Sequence, residues 1–220
     1  MPREHFEREL NALQDSMLTL GSMVEKAITR SVEALKTGDV QLARQVIEED
    51  DLLDAQREAV ERDALLLIAT QQPLAGDLRK IAAVLNISSE LERMGDYAEG
   101  IAKISIDIAS EPPLKPLVTI PKMAEQACSM LRRSLEAFVN QDLTQAQEIW
   151  GEDDEIDRLY DQVYHELLAF MLADPRTIQR ATRLLWVSHN LERIADRVTN
   201  ICERIRFMVG GEVNAAPTRP

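Results

Sequence analysis

The sequence predicts an all-α protein: two tandem, internally duplicated three-helix bundles made of six long antiparallel helices. Composition, the placement of proline and an internal repeat predict it. Of 220 residues only 4% are aromatic, while Ala, Leu, Ile, Glu, Gln and Arg are abundant, a balance that favours helix over strand. The nine prolines stand at positions 2, 73, 112, 113, 116, 121, 175, 217 and 220, leaving long stretches free of the residue that breaks helix interiors. The halves also repeat. Leu91-Glu92-Arg93-Met94-Gly95-Asp96 and the five residues after it align with Leu191-Glu192-Arg193-Ile194-Ala195-Asp196 at an offset of 100, with five of eleven positions identical. Glu49 to Asp54 aligns with Glu152 to Asp157 at an offset of 103, with four of six identical. Two copies of one unit follow, separated by small insertions.

The elements fall out in order. Gly38-Asp39 breaks the first half and Asn140-Gln141-Asp142 breaks the second at a matching place, so helices are expected over 3–37, 39–72, 75–110, 118–140, 142–173 and 175–209. A helix of about 33 residues is ~50 Å long, so these are rods. In the first, Phe6, Leu10, Leu13, Met17, Leu20, Val24, Ala27 and Ser31 recur at alternating spacings of four and three. Ile81, Val84, Ser88, Leu91, Gly95, Ala98 and Ala102 do the same in the third, the seam of a left-handed bundle. The proline-rich stretch from Ser110 to Pro121 reads as the connection between repeats. The domain expectation is one repeat over 1–111, a second over 117–209, and a disordered tail over 210–220.

Charge narrows function. With 25 basic and 38 acidic residues the net charge is −13, which phosphate backbones repel, so nucleic acid is excluded as a partner and cations or basic protein surfaces are favoured. No apolar run approaches the length needed to cross a bilayer, and residues 1–10 do not form a signal peptide, so a cytoplasmic protein without membrane insertion is expected. Cys128 and Cys202 read as reduced, packed thiols. Trp150, Trp186 and the methionines at 17, 23, 94, 123, 130 and 171 read as packing residues. No Gly-rich phosphate loop, nucleophile elbow or Ser–His constellation is present, and the protein is read as not an enzyme.

The chemistry resides in acids. Each half has two carboxylate pairs four residues apart, Asp50/Asp54 and Glu92/Asp96, then Asp153/Asp157 and Glu192/Asp196, and this spacing puts both members of a pair on one helix face. Acids are so common here that a single pair is uninformative; position distinguishes these. The first pair lies about 22 residues before the turn at Leu74 and the second about 20 after it, a difference of ~3 Å of rise, so an antiparallel hairpin brings all four to one height. The second half repeats this about Pro175. Four carboxylates at one level repel unless a cation bridges them, and all-oxygen ligands suit Mg²⁺, Mn²⁺, Ca²⁺ or ferric iron. The alternative is an acidic face used only for docking. Arg93 and Arg193 stand where they could partly neutralise the clusters, or form surface ion pairs. His5, His165 and His189 are not equivalent in the repeat and none follows Glu by three residues as an oxygen-reactive di-iron bundle requires, which counts against a metalloenzyme or iron store.

These residues resemble the PhoU family over about residues 3–209. The likeness rests on the doubled repeat, Gln71-Gln72-Pro73 followed by Asp77-Leu78-Arg79, Leu-Glu-Arg-x-x-Asp in both halves, and Leu185-Trp186 leading into Asn190-Leu191-Glu192-Arg193 and Asn200-Ile201. Two features depart from it: Ala173-Asp174-Pro175 replaces a second Gln-Gln-Pro, and Arg197 stands where the family often has histidine. The resemblance implies multinuclear clusters of Fe, Mn, Mg or Zn held by Asp50, Asp54, Glu92 and Asp96 and by Asp153, Asp157, Glu192 and Asp196. Glu49, Glu99, Glu152, Asn200 and Glu203 would be further ligands. It also implies a negative regulator of phosphate uptake and the phosphate-starvation response, a homodimer at the inner membrane only through partners, linking the ATPase subunit of the Pst phosphate transporter to the PhoR histidine kinase. A family member serving a different transporter remains open.

Overall fold

A computed structural model describes residues 2–210, with side chains from residue 3; the expected tail lies outside the described residues except for Gly210. The elements are α1 (Pro2–Thr37), α2 (Val40–Gln71), α3 (Ala75–Ile108), α4 (Thr119–Asn140), α5 (Leu143–Trp150), α6 (Asp153–Ala173), a single 3-10 turn (Pro175–Thr177) and α7 (Ile178–Gly210). No strand occurs among the described residues, and the fold is all-α.

The matched breaks have matched chemistry. Gly38 takes a φ of 69° and Gln141 one of 55°, each ending a helix in the left-handed region. The next residue is an aspartate in both repeats. Asp39 Oδ1 accepts from the backbone N–H groups of Gln41 and Leu42, and Asp142 Oδ1 from those of Thr144 and Gln145, so a new helix starts at once.

Two boundaries differ from the sequence expectation by more than two residues. The rod expected over 142–173 is interrupted at residues 151–152, giving α5 and α6. Glycine disfavours a helix interior by about 1 kcal/mol relative to alanine, and Gly151 is followed by Glu152, whose carboxylate is held by both terminal nitrogens of Arg133 on α4 at 2.9 and 2.6 Å. The last rod begins at Ile178, not at residue 175. Asp174 Oδ1 accepts from Arg176 N–H and fixes a 3-10 turn first.

Every residue of the two heptad seams is buried, from Phe6 to Ser31 in α1 and from Ile81 to Ala102 in α3. α2 lies on α1 and α3, and α6 lies on α4 and α7. Across the repeats α3 runs along α7 and α1 along α4, so one buried cluster continues through both copies. The α3–α7 seam is antiparallel. Its register is fixed by Arg79 Nε donating to the Met208 carbonyl (3.3 Å), Arg197–Glu90 (3.3 Å), Asn190 Nδ2 donating to the Tyr97 carbonyl (3.5 Å) and Arg183–Asp107 (3.1 Å). The helices approach closely at Gly100, where a Cβ would stand 3.0 Å from Asn190 Nδ2. On the other side Arg132 of α4 pairs with Glu25 of α1 at 2.5 Å.

Met17, Met94, Met123 and Met130 fill the core, while Met23 and Met171 are partly buried against it. Trp150 packs as expected. Trp186 does not: it is 54% exposed, edge-on to His189 with ring centres 5.6 Å apart.

Cys128 and Cys202 are buried free thiols, and burial pushes them up to about 11 and about 12 respectively. Neither will form appreciable thiolate near neutral pH. Iodoacetamide should therefore leave the folded protein unmodified and label both thiols once the chain is unfolded, as intact-mass measurement will show. Rapid alkylation of the folded protein would contradict the packing described.

Candidate metal centres

In the first repeat α2 and α3 form the expected hairpin. α2 turns at Gln72–Leu74 into α3, and Asp50 of α2 lies against Gly95 of α3, where an added Cβ would stand 3.3 Å from Asp50 Oδ1. Gly95 thus leaves room for the carboxylate beside α3. Asp50 is pushed up to about 6, first by burial and then by the nearby charges of Glu99, Asp54 and Asp96. Glu92 is raised by burial and by Asp96 and Asp54, and Asp96 by burial and by Asp54 and Glu99. Asp50, Asp54, Glu92 and Asp96 therefore lie within electrostatic reach of one another, with Asp54 and Asp96 open to solvent. Glu99 is paired with Lys103 at 2.5 Å.

The second repeat has the same acids in a different electrostatic state. Asp153 is buried, and Asp157, Glu192 and Asp196 are half-buried. Burial raises Glu192, and Asp196, Asp157 and Asp153 add to the rise. Here a guanidinium enters the cluster. Arg193 Nε lies 3.1 Å from Glu192 Oε2, and its Nη1 lies 2.9 Å from Asp196 Oδ2. His189 Nδ1 is 3.4 Å from the same glutamate oxygen. Arg93, the counterpart of Arg193, is exposed and makes no ion pair among the described residues. The two clusters share a sequence pattern but not a charge balance.

They do share a height. Glu90 stands opposite Arg197 and Asn200, and Tyr97 opposite Asn190, so residues 92–96 of α3 lie level with 191–196 of α7. The acids of both repeats therefore flank one seam at one level.

Several further candidates are already engaged. Glu49 is gripped by Arg30 of α1, with Lys26 at 3.6 Å, and its pKa is lowered by the Arg30 bond. Glu152 is held by Arg133 and Asn200 donates to Glu90 at 3.2 Å. The pairs Arg30–Glu49 and Arg133–Glu152 are the same contact at an offset of 103. That offset was visible in the sequence, and it marks these two glutamates as ties between the first and second rods of each repeat.

Among the described residues, no three His, Cys, Asp or Glu side chains stand in an arrangement that would already grip a metal ion. The donor chemistry nevertheless fits one. Partly desolvated, mutually repelling carboxylates with only oxygen ligands gain most from a hard cation, which would offset the burial and the neighbouring negative charges that raise Asp50. In the first repeat Asp54 and Asp96 are exposed to solvent, whereas in the second Arg193 already pairs with Glu192 and Asp196.

An internally duplicated helical protein with one acidic cluster per repeat is the class that this fold and site define. A model described as the PhoU domain matches residues 17–105 and again 120–205, and the chain belongs to the PhoU family. It is 41% identical over 206 residues to a phosphate-specific transport system accessory protein PhoU homolog of Aquifex aeolicus, covering 94% of this chain and 93% of the relative. It is 38% identical to the homolog of Clostridium acetobutylicum, covering 96% and 97%. Crystal structures of PhoU from Pseudomonas aeruginosa and of the phosphate transport system regulatory protein PhoU from Streptococcus pneumoniae superpose with TM-scores of 0.89 and 0.87 at 32% and 30% identity. They match 94% and 96% of this chain and the whole of theirs.

Proposed function

We propose that this chain is a negative regulator of phosphate uptake and of the phosphate-starvation response. It acts in the cytoplasm as a metal-binding homodimeric adaptor between the ATPase subunit of the Pst transporter and the PhoR histidine kinase. The observation that carries this reading is full-length similarity to relatives named as phosphate-specific transport accessory and regulatory proteins. Among the described residues no helix is long and apolar enough to cross a membrane, so engagement of a membrane transporter would go through a folded surface. Hard ions, Fe, Mn, Mg or Zn, would be held by Asp50, Asp54, Glu92 and Asp96 and, once Arg193 moves aside, by Asp153, Asp157, Glu192 and Asp196. Their chemistry there is to neutralise and cross-link neighbouring rods.

Deletion of the gene should raise alkaline phosphatase expression and phosphate import in phosphate-rich medium to the levels of starved cells. Reintroducing the gene should reverse both. Unchanged expression and uptake in the deletion strain would overturn the regulatory reading.

A further inference from the structure

Helix α2 carries leucine and alanine on both of its faces, and the fold covers one. Ala43, Val46, Leu53, Val60, Ala64 and Leu67 are buried against α1 and α3. Away from them, Leu52, Ala55, Ala59, Arg62, Leu66 and Ala69 recur at alternating spacings of three and four, the pattern of a second bundle seam. No other helix covers this row among the described residues. Leu52 is 59% and Leu66 60% exposed, with Leu65 beside them at 53%. Ala55 and Ala69 are exposed as well, and only Ala59 is half-buried. Scattered surface leucines need no explanation, but a regular row running for ~26 Å along a helix does. Its make-up suits helix packing: the alanines between the leucines let a second backbone come close, and the stem of Arg62 can lie along the seam. The second repeat lacks the row. At the offset of 103 its positions in α6 carry Glu155, Arg158, Gln162, His165, Ala169 and Leu172, so apolar side chains remain only at the last two. Duplication therefore preserved the inner face of this helix and made the outer faces different.

We propose that the outward face of α2 is the docking site for an amphipathic helix of another protein, one with an apolar seam and basic flanks. Charge selects that occupant. Exposed Glu48, Asp51, Glu58 and Asp63 surround the row, against only Arg44 and Arg62, and Arg62 already leans on Asp63 at 3.5 Å. A second copy of this chain laid on the same face would set acid against acid, whereas lysine or arginine flanks would meet complementary charge. The leucines supply the burial and the acids supply orientation. This docking site is independent of the regulatory reading above, since it rests on α2 alone.

The test titrates the full chain with two helical peptides of about 20 residues that share a leucine seam, one flanked by lysine and one by glutamate. Fluorescence anisotropy reads binding, and amide hydrogen exchange reads its location. The lysine-flanked peptide should bind, protect residues 48–70, and weaken with added salt. Its affinity should fall at least tenfold in the Leu52→Gln/Leu66→Gln variant and severalfold in Glu58→Lys. Circular dichroism should show both variants folded, because all three side chains are solvent-exposed. The proposal is overturned by equal binding of both peptides, by undiminished binding to the leucine variant, or by protection elsewhere. Self-association that the leucine variant abolishes would also overturn it, assigning the face to a second copy.

Discussion

Leu91→Ala is expected to lower the unfolding free energy by about 3–4 kcal/mol, in the middle of the range for buried leucine truncation. Leu91 is fully buried at the middle of α3, the helix that packs on α1, α2 and α7. Its Cδ1 reaches to within 4.0 Å of the point where a Cβ on Gly21 of α1 would stand. Rods fixed on three sides cannot collapse into the space left by the deleted methyl groups, so the cavity cost adds to the lost transfer energy. Because one core runs through both repeats, the loss should appear as a single shifted denaturation transition. Leu65→Ala, at an exposed position, should change stability by no more than about 0.5 kcal/mol. Urea denaturation of both variants checks the contrast. A loss below about 1 kcal/mol at Leu91, well short of the range for a buried leucine, would mean that the helices are not locked together at this level.

Much of this architecture can be read from local sequence because the period is strict. The seams Phe6 to Ser31 and Ile81 to Ala102 are buried at every position, and the aspartates after Gly38 and Gln141 cap helices as turn chemistry dictates. The acids at 50, 54, 92 and 96 come within electrostatic reach because equal distances from a turn mean equal height. What escapes such reasoning depends on non-local contacts. One glycine at 151 does not announce a break; the pull of Arg133 on Glu152 comes from a different helix. Nothing in Leu-Glu-Arg-x-x-Asp says that Arg193 folds onto its own cluster while Arg93 stays in solvent. Nor does periodicity reveal that α3 pairs with α7, which depends on the close approach at Gly100 and on Glu90 receiving Arg197 and Asn200. The exposure of Trp186 follows from the same blindness, since an aromatic on a helix reads as core until its neighbours are known.

The sharpest chemical prediction concerns Asp50, for which substitution should have opposite consequences with and without a cation. Its folded-state pKa of about 6 lies above the ordinary 3.8, so the native state binds the proton more tightly than the unfolded chain. Its contribution is fully favourable below about pH 4, is lost as the pH rises through 6, and is absent at neutral pH. In EDTA at neutral pH, Asp50→Asn should therefore stabilise the protein, by about 1 kcal/mol once solvent screening of this half-exposed group is allowed for. The gain should disappear near pH 4, around the ordinary carboxylate value. With Mn²⁺ the order should reverse. A cation bound only by the folded state stabilises it by about 2.7 kcal/mol at a hundredfold excess over its dissociation constant, and the variant lacks a charged ligand to share that gain. Thermal unfolding of both proteins at about pH 4 and about pH 7.5, either side of the titration, in EDTA and in Mn²⁺, Mg²⁺ or Zn²⁺, makes the comparison. If no metal raises the wild-type transition, or if Asp50→Asn destabilises the metal-free protein at neutral pH, the metal site proposed at these carboxylates is overturned.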